Sequence, residues 1–259
     1  RSVSRGLGDV YKRQEDDRRL TVGEIVRRAK TRYFNIAGIP SASADEREPC
    51  VWEMYSTTGG AGVTSLAIMA ARLLAMEDEK VLYLNLGSRD DYSIYAAADF
   101  SNLPPKRKFL YKVLESGEPF AVEEFLTKDQ WGVMYFKPEE GRNCFESERC
   151  ADKLMAFLYG AKEFDHIVAD SCGEPWSGSV VIRVVSRRDK RPEAAADGGA
   201  FRILNFAGRN GGQEEFSVPE DESAFEENGA GINLSMESEM AEAMARIVKA
   251  LREKVEESR

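Results

Sequence analysis

Residues 51–74 constrain the fold of this chain more than any other stretch. They read Val-Trp-Glu-Met-Tyr-Ser-Thr-Thr-Gly-Gly-Ala-Gly-Val-Thr-Ser-Leu-Ala and continue as an Ala-, Leu- and Met-rich run. An apolar segment of strand length (51–55) leads into a turn carrying Gly59, Gly60 and Gly62, and a helical pattern follows. This is the build of a phosphate-binding loop. Glycines let the backbone approach an anion, while successive N–H groups and the helix N-terminus point at it. Thr64 and Ser65 stand where a hydroxyl would meet Mg²⁺ or phosphate. The strict pattern G-x-x-x-x-G-K-[ST] is not met, because Thr57 takes the place of its first glycine and Val63 that of its lysine.

At 259 residues the chain has room for one large α/β domain and an appendage. Its 36 Lys+Arg against 45 Asp+Glu give a net charge of −9. An acidic chain without a basic block argues against direct nucleic-acid binding, since phosphate neutralisation supplies most of that affinity. No apolar run reaches the length of a membrane span, and no charged-then-apolar signal segment opens the chain. Cys50, Cys144, Cys150 and Cys172 form no CxxC pair and His166 is the only histidine, which predicts free thiols rather than a zinc site.

Along the chain, Thr21-Val-Gly-Glu24 fits a capping box and predicts an amphipathic helix with Ile25, Val26 and Ala29 on one face. Residues 38–48 predict a linker. Lys80-Val-Leu-Tyr-Leu-Asn-Leu-Gly87 predicts a buried parallel strand. Pro104-Pro-Lys-Arg-Lys108 reads as a solvated basic turn, 109–117 and 119–127 as helices, and 131–136 as a strand. A helix over 146–163, with Cys150, Leu154, Phe157 and Leu158 inward, precedes a strand over 164–170 that ends in Asp170. A carboxylate at the end of such a strand, beside a phosphate loop, is where an open α/β sheet places its ligand. His166, earlier on that strand, reads as a packed core residue. Residues 180–185 and 201–205 predict strands. Arg183, Arg187, Arg188, Lys190 and Arg191, in close order, read as a solvated helix start, or as a source of replacement charge for the loop. Residues 208–215 read as a polar loop, and the last helix, 236–257, has Met240, Met244, Ile247, Leu251 and Val255 at helical spacing. Acids match bases on its polar face, so it reads as docking on the core rather than as a polybasic membrane anchor.

Several of these segments together resemble the MinD/ParA family. Thr58-Gly59-Gly60-Ala61-Gly62-Val63-Thr64 is similar to its deviant loop, Lys-Gly-Gly-x-Gly-Lys-[Thr/Ser], with Thr58 and Val63 in the two lysine places. The second strand of the family ends Asp-x-Asp; here Asn85 and Gly87 stand there, Asn85 at the place of the Asp that helps position the attacking water. Phe164-Asp-His-Ile-Val-Ala-Asp170 resembles the strand whose last Asp contacts Mg²⁺ through water, although Ser171-Cys-Gly-Glu-Pro175 replaces the Thr-Pro-Pro-Gly switch that follows it. Residues 201–205 resemble the strand ending in an Asn that reads adenine, which puts Asn205 in that role. Phe216-Ser-Val-Pro-Glu-Asp221 resembles the Ile-Pro-x-Asp segment that packs on the base, through Pro219 and Asp221.

The resemblance implies an α/β fold, a doubly wound and mostly parallel sheet with helices on both faces. Residues 50–259 would form the MinD/ParA-like domain, 15–49 a helix and linker left from a lost receiver-like domain, and 1–14 a non-native tail similar to translated sequencing adapter. The implied ligand is ATP or ADP with Mg²⁺, held weakly or not at all. Thr58, Gly59, Gly60, Gly62, Val63, Thr64, Ser65, Asn205, Pro219 and Asp221 would contact the nucleotide, and Thr64 and Asp170 the metal. With both lysines and the water-side carboxylate replaced, no residue is assigned a catalytic role and hydrolysis is expected to be poor. Among such proteins the implied part is that of a Tad-pilus localisation or assembly factor. It would be cytoplasmic, form homodimers, and be recruited to the membrane or pole by protein partners. Two alternatives stay open: an active, divergent ATPase whose lysines are replaced from elsewhere, and a structural interaction module with a vestigial loop.

Overall fold

The computed structural model describes residues 48–96, 98–116, 120–146, 148–172, 175, 180–187, 201–207, 216–227 and 231–257. The expected helix after Thr21, the linker up to residue 47, the basic run 188–191 and the polar loop 208–215 lie outside the described residues.

Alternation of side chains builds the centre. On β1 (Cys50–Ser56) every residue is buried, Trp52 and Met54 facing one side of the sheet and Val51 the other. The order of elements is β1, α1 (Val63–Ala75), β2 (Val81–Asn85), α2 (Lys106–Tyr111), β3 (Leu126–Lys128), β4 (Met134–Phe136), α3 (Glu148–Tyr159), β5 (His166–Cys172), β6 (Val180–Ser186), β7 (Phe201–Ala207), β8 (Ser217–Pro219), β9 (Phe225–Glu227), β10 (Ile232–Leu234) and α4 (Glu239–Glu257). Eight strands form one sheet in the order β3-β4-β2-β5-β1-β6-β7-β8. All its pairs are parallel except β3 with β4. Helices α1 and α4 pack on one face with Trp52, Tyr83, Val168 and Val184. Helices α2 and α3 pack on the other with Val51, Leu82, Phe136 and Ile167. The doubly wound α/β fold read from the sequence is the fold observed.

Parallel strands put their carboxyl ends on one edge. From β1 the chain skips a place to β2, and β5 later fills the gap between them. Ser56, Asn85 and Asp170 therefore come to neighbouring strand ends at the point where the winding direction changes, the usual place for a ligand crevice. Helix α4 docks on the core through Met240, Met244, Ile247 and Leu251, as its spacing predicts. Its start is fixed by Ser238, whose hydroxyl accepts from the Ala241 N–H at 3.1 Å.

Three expectations are corrected. The basic turn at 104–108 is only partly solvated: Arg107 and Lys108 are exposed, but Lys106 opens α2, is 1 % exposed, and its ammonium lies 2.5 Å from Asp90 Oδ1. Residues 119–127 do not form a helix, because Val122–Phe125 make a 3₁₀ turn and Leu126 then pairs with Phe136 as edge strand β3. The spacing of Val122, Phe125 and Leu126 fits a helix, and tertiary pairing with β4 overrides it. Arg183 is no part of a helix start; it lies in β6 and is buried.

Another buried cation holds the C-terminal end of α1. Arg72 is wholly buried, with Nε 3.2 Å from Asp129 Oδ2, its N–H groups donating to the carbonyls of Tyr95 (2.7 Å) and Leu234 (3.3 Å), and Trp131 stacked 3.7 Å away. One guanidinium thus ties α1, the β3–β4 corner and β10 together, and such a charge is tolerated only because its donors are met.

Candidate functional site

The loop between β1 and α1 has the backbone its glycines suggested. Gly60 (φ +77°) and Gly62 (φ +84°) occupy the left-handed region. A Cβ on Gly59 or Gly60 would meet nothing within 4 Å, so the crest of the loop is open. Gly62 is different: a Cβ there would lie 2.3 Å from Asn205 Nδ2. Gly62 is also the N-cap of α1; it offers no capping side chain, and the first turn carries no acid. The N–H groups at that helix end are the kind that receive an anion. Thr58 folds back on the strand, its N–H donating to Ser56 Oγ at 3.3 Å. Val63, at the first position of α1, is half-buried and packs against the core.

Three strands bring side chains to this loop. Asp170, at the end of β5, is buried and takes a hydrogen bond from Tyr83 Oη at 2.7 Å and another from the Thr64 hydroxyl. Burial pushes its carboxyl up to about 6, against the pull of those two donors. Burial, and then the neighbouring Asp170, push the Tyr83 hydroxyl well above its ordinary value. Asn205, on β7, is 2 % exposed. Its amide donates to Ala61 O at 2.8 Å and accepts from the Phe206 N–H at 2.9 Å, which fastens the loop to β7. Among the contacts described this leaves one N–H and one lone pair of the amide uncommitted. Phe206 has a positive φ of 57°, a strained backbone for a bulky residue, at the register shift between β7 and β8.

Gly62, Ser65, Asn205, Phe206, Pro219, Asp221, Phe225 and Met240 line one cleft of 170 Å³ with Glu220 and Glu222 at its rim. Asp221 does not reach into it as a free carboxylate. It accepts from the Ser223 hydroxyl (2.6 Å) and N–H (3.0 Å) and from the Met240 N–H at the start of α4 (3.2 Å), and these contacts, the Ser223 hydroxyl foremost, hold it below the usual carboxylate range.

Asn85 lies apart from this cleft. Its amide donates to Arg89 O (2.6 Å) and Asp90 Oδ1 (3.3 Å) and accepts from the Gly87 N–H (2.7 Å), so it shapes the loop after β2. The structure therefore brings together Thr64 with Asp170, and Gly62 and Ser65 with Asn205, Pro219 and Asp221. It leaves Gly59 and Gly60 on the open crest and Asn85 in a supporting network. Tyr83, Phe206, Phe225 and Met240 were missed. Tyr83 read as one more residue of an apolar strand, and the other three gave no sequence signal that would separate them from core.

No family model matches the sequence, and no curated protein matches it. Solved structures do match in shape. Cobyrinic acid a,c-diamide synthase from Mycobacterium smegmatis, solved with an ATP analogue and magnesium, superimposes with a TM-score of 0.54 at 12% identity, over 82% of this chain and 97% of that one. A ParA family ATPase from Chlorobium tepidum gives 0.53 at 12% identity, over 78% and 98%. The septum site-determining protein MinD from Pyrococcus horikoshii, complexed with Mg-ADP, gives 0.52 at 17% identity, over 78% and 96%. The fold is that of the ParA and MinD ATPases.

The residues present fit the parts of a magnesium nucleotide unequally. One hydroxyl and one carboxylate, Thr64 and Asp170, are the donor set Mg²⁺ uses when phosphates and water complete its shell. An amide with one donor and one acceptor to spare, among apolar walls, suits a purine edge. Thr58 and Val63, in the places of the two lysines of the deviant loop, bring no charge to a phosphate there.

Proposed function

We propose that this chain is a degenerate nucleotide-binding protein of the MinD/ParA type. In this reading it acts as a localisation or assembly factor of the Tad-pilus kind, with little or no ATP hydrolysis. The observation that carries the reading is the convergence of Gly62, Asn205, Pro219 and Asp221, singled out separately along the sequence, on one cleft. The base would lie against Pro219 and take its hydrogen bonds from Asn205. The α1 N-terminus and the loop amides would face the phosphates. Thr64 and Asp170 would hold Mg²⁺, which supplies charge neutralisation when bound.

Turnover is a separate matter. Phosphoryl transfer is accelerated by positioning and by charge neutralisation. Here Thr58 and Val63 bring no charge, and the Asn85 amide, which cannot act as a carboxylate, is committed to the Arg89–Asp90 turn. In this reading the protein works by occupancy rather than turnover, and its partners are proteins of a secretion, pilus or polar-localisation system, with homodimers admitted. The net charge of −9 supports protein rather than nucleic-acid partners. The test is a phosphate-release assay on the pure chain with ATP and Mg²⁺. Background release is expected, and a rate of about one per minute or faster would favour the active, divergent ATPase instead.

A further inference from the structure

We infer that the cleft selects a purine nucleoside or its monophosphate over a nucleoside triphosphate. The inference rests on the reading above that the cleft takes an adenine base, and it names the ligand class of that site.

Size is the first argument. The cleft holds 170 Å³, below the ~300 Å³ at which pockets for drug-sized ligands begin. It has room for a ring system, and whatever is attached to the ring must run out along the loop. Its walls suit a ring: Phe206, Pro219, Phe225 and Met240 are apolar, and Asn205 retains one donor and one acceptor. That pair matches the adjacent amino and ring-nitrogen groups of an adenine edge.

Charge is the second. Among the described residues lining the cleft there is no Lys or Arg, and Glu220, Asp221 and Glu222 stand in sequence along it. Beyond the base a phosphate chain would meet Gly59 and Gly60, which offer only amides, and Val63, whose side chain packs against the core. Among the described residues at the cleft and loop, the positive element is the N-terminus of α1, which has no side-chain cap and is equivalent to roughly half a charge. That suffices for the first phosphate and leaves a second and third uncompensated beside the acidic rim.

Calorimetric titration of the full chain with adenosine, AMP, ADP and ATP, each with Mg²⁺, tests this. Adenosine or AMP is expected to bind more tightly than ATP. ADP or ATP binding as tightly as AMP, or more tightly, would overturn the inference and leave the nucleotide reading intact. If none of the four binds at millimolar concentration, both fall. Repeating the series from low to high salt gives a second readout. Screening of the acidic rim should raise the affinity of ATP relative to adenosine, whereas a ratio that falls with salt would reveal a cationic cradle and overturn the inference.

Discussion

Asp170 shows at the level of one residue how a candidate ligand site conflicts with stability. Its folded value of about 6 stands above the ordinary carboxylate value of 3.8. Its contribution to stability is therefore fully present below pH 3.8 and is lost as pH rises through about 6. At neutral pH the chain holds a buried carboxylate at a cost of about 2–3 kcal/mol. Asp170→Asn keeps an acceptor for Tyr83 and removes the charge. It is expected to raise the thermal midpoint at pH 7.5, with the gain shrinking towards pH 4. A variant no more stable than the parent at pH 7.5 would mean that the carboxylate is solvated in solution. The role of Tyr83 could not be read from the sequence, because its value as a donor depends on pairing of β2 with β5 that sets Tyr83 opposite Val168, one alternation from Asp170.

At the level of elements, the loops after β2 are held by one buried ion pair. Lys106 donates to Asp90 and to Asn143 (3.3 Å), and Asp90 also accepts from Asn85 and from the Glu139 N–H (2.9 Å). Asn143 in turn donates to the carbonyls of Asn85 and Gly87, both at 2.9 Å. Burial lowers the Lys106 ammonium from its ordinary value, and Asp90 opposes that shift. Lys106→Met leaves Asp90 buried and unpaired and is expected to cost about 3–5 kcal/mol, read by urea denaturation. Lys106→Met combined with Asp90→Asn should recover much of that loss; a double variant as unstable as the single one would show that packing, not charge, is at stake. This pairing also marks where the sequence stops being legible. Strands β1, β2, β5, β6 and β7 were visible because their burial is written in uninterrupted apolar runs. Lys106 sits in a Pro-Pro-Lys-Arg-Lys string that reads as solvated, and its partner is 16 residues earlier, with no local pattern connecting them. The β9–β10 hairpin went unseen for a related reason, since its strands have three residues each and β9 is exposed throughout.

At the level of the whole molecule, the proposed reading separates shape from charge. The sheet order, the glycine turn, the Asp at the end of β5 and the cleft beside β7 are laid out as in a nucleotide-binding fold, and these were legible because glycines and strand ends leave local marks. The contribution of Asn205 to the loop itself was not, because it depends on an approach so close that Gly62 cannot carry a Cβ. In the proposed reading the loop keeps the form of a phosphate cradle and lacks only its cation. Val63 is half-buried at the first turn of α1, and a lysine stem could cover the same apolar surface while its ammonium reaches the loop mouth. A charge-assisted contact to phosphate contributes roughly 1.5–3 kcal/mol, or about one to two decades in affinity. The direct measurement is calorimetric titration of Val63→Lys with ATP and with adenosine, alongside the parent chain and a check that the variant remains folded. ATP is expected to bind the variant at least tenfold more tightly, with adenosine unchanged. A folded variant whose ATP affinity equals that of the parent would contradict the proposed reading, because the loop would then no longer present its amides to a phosphate at all.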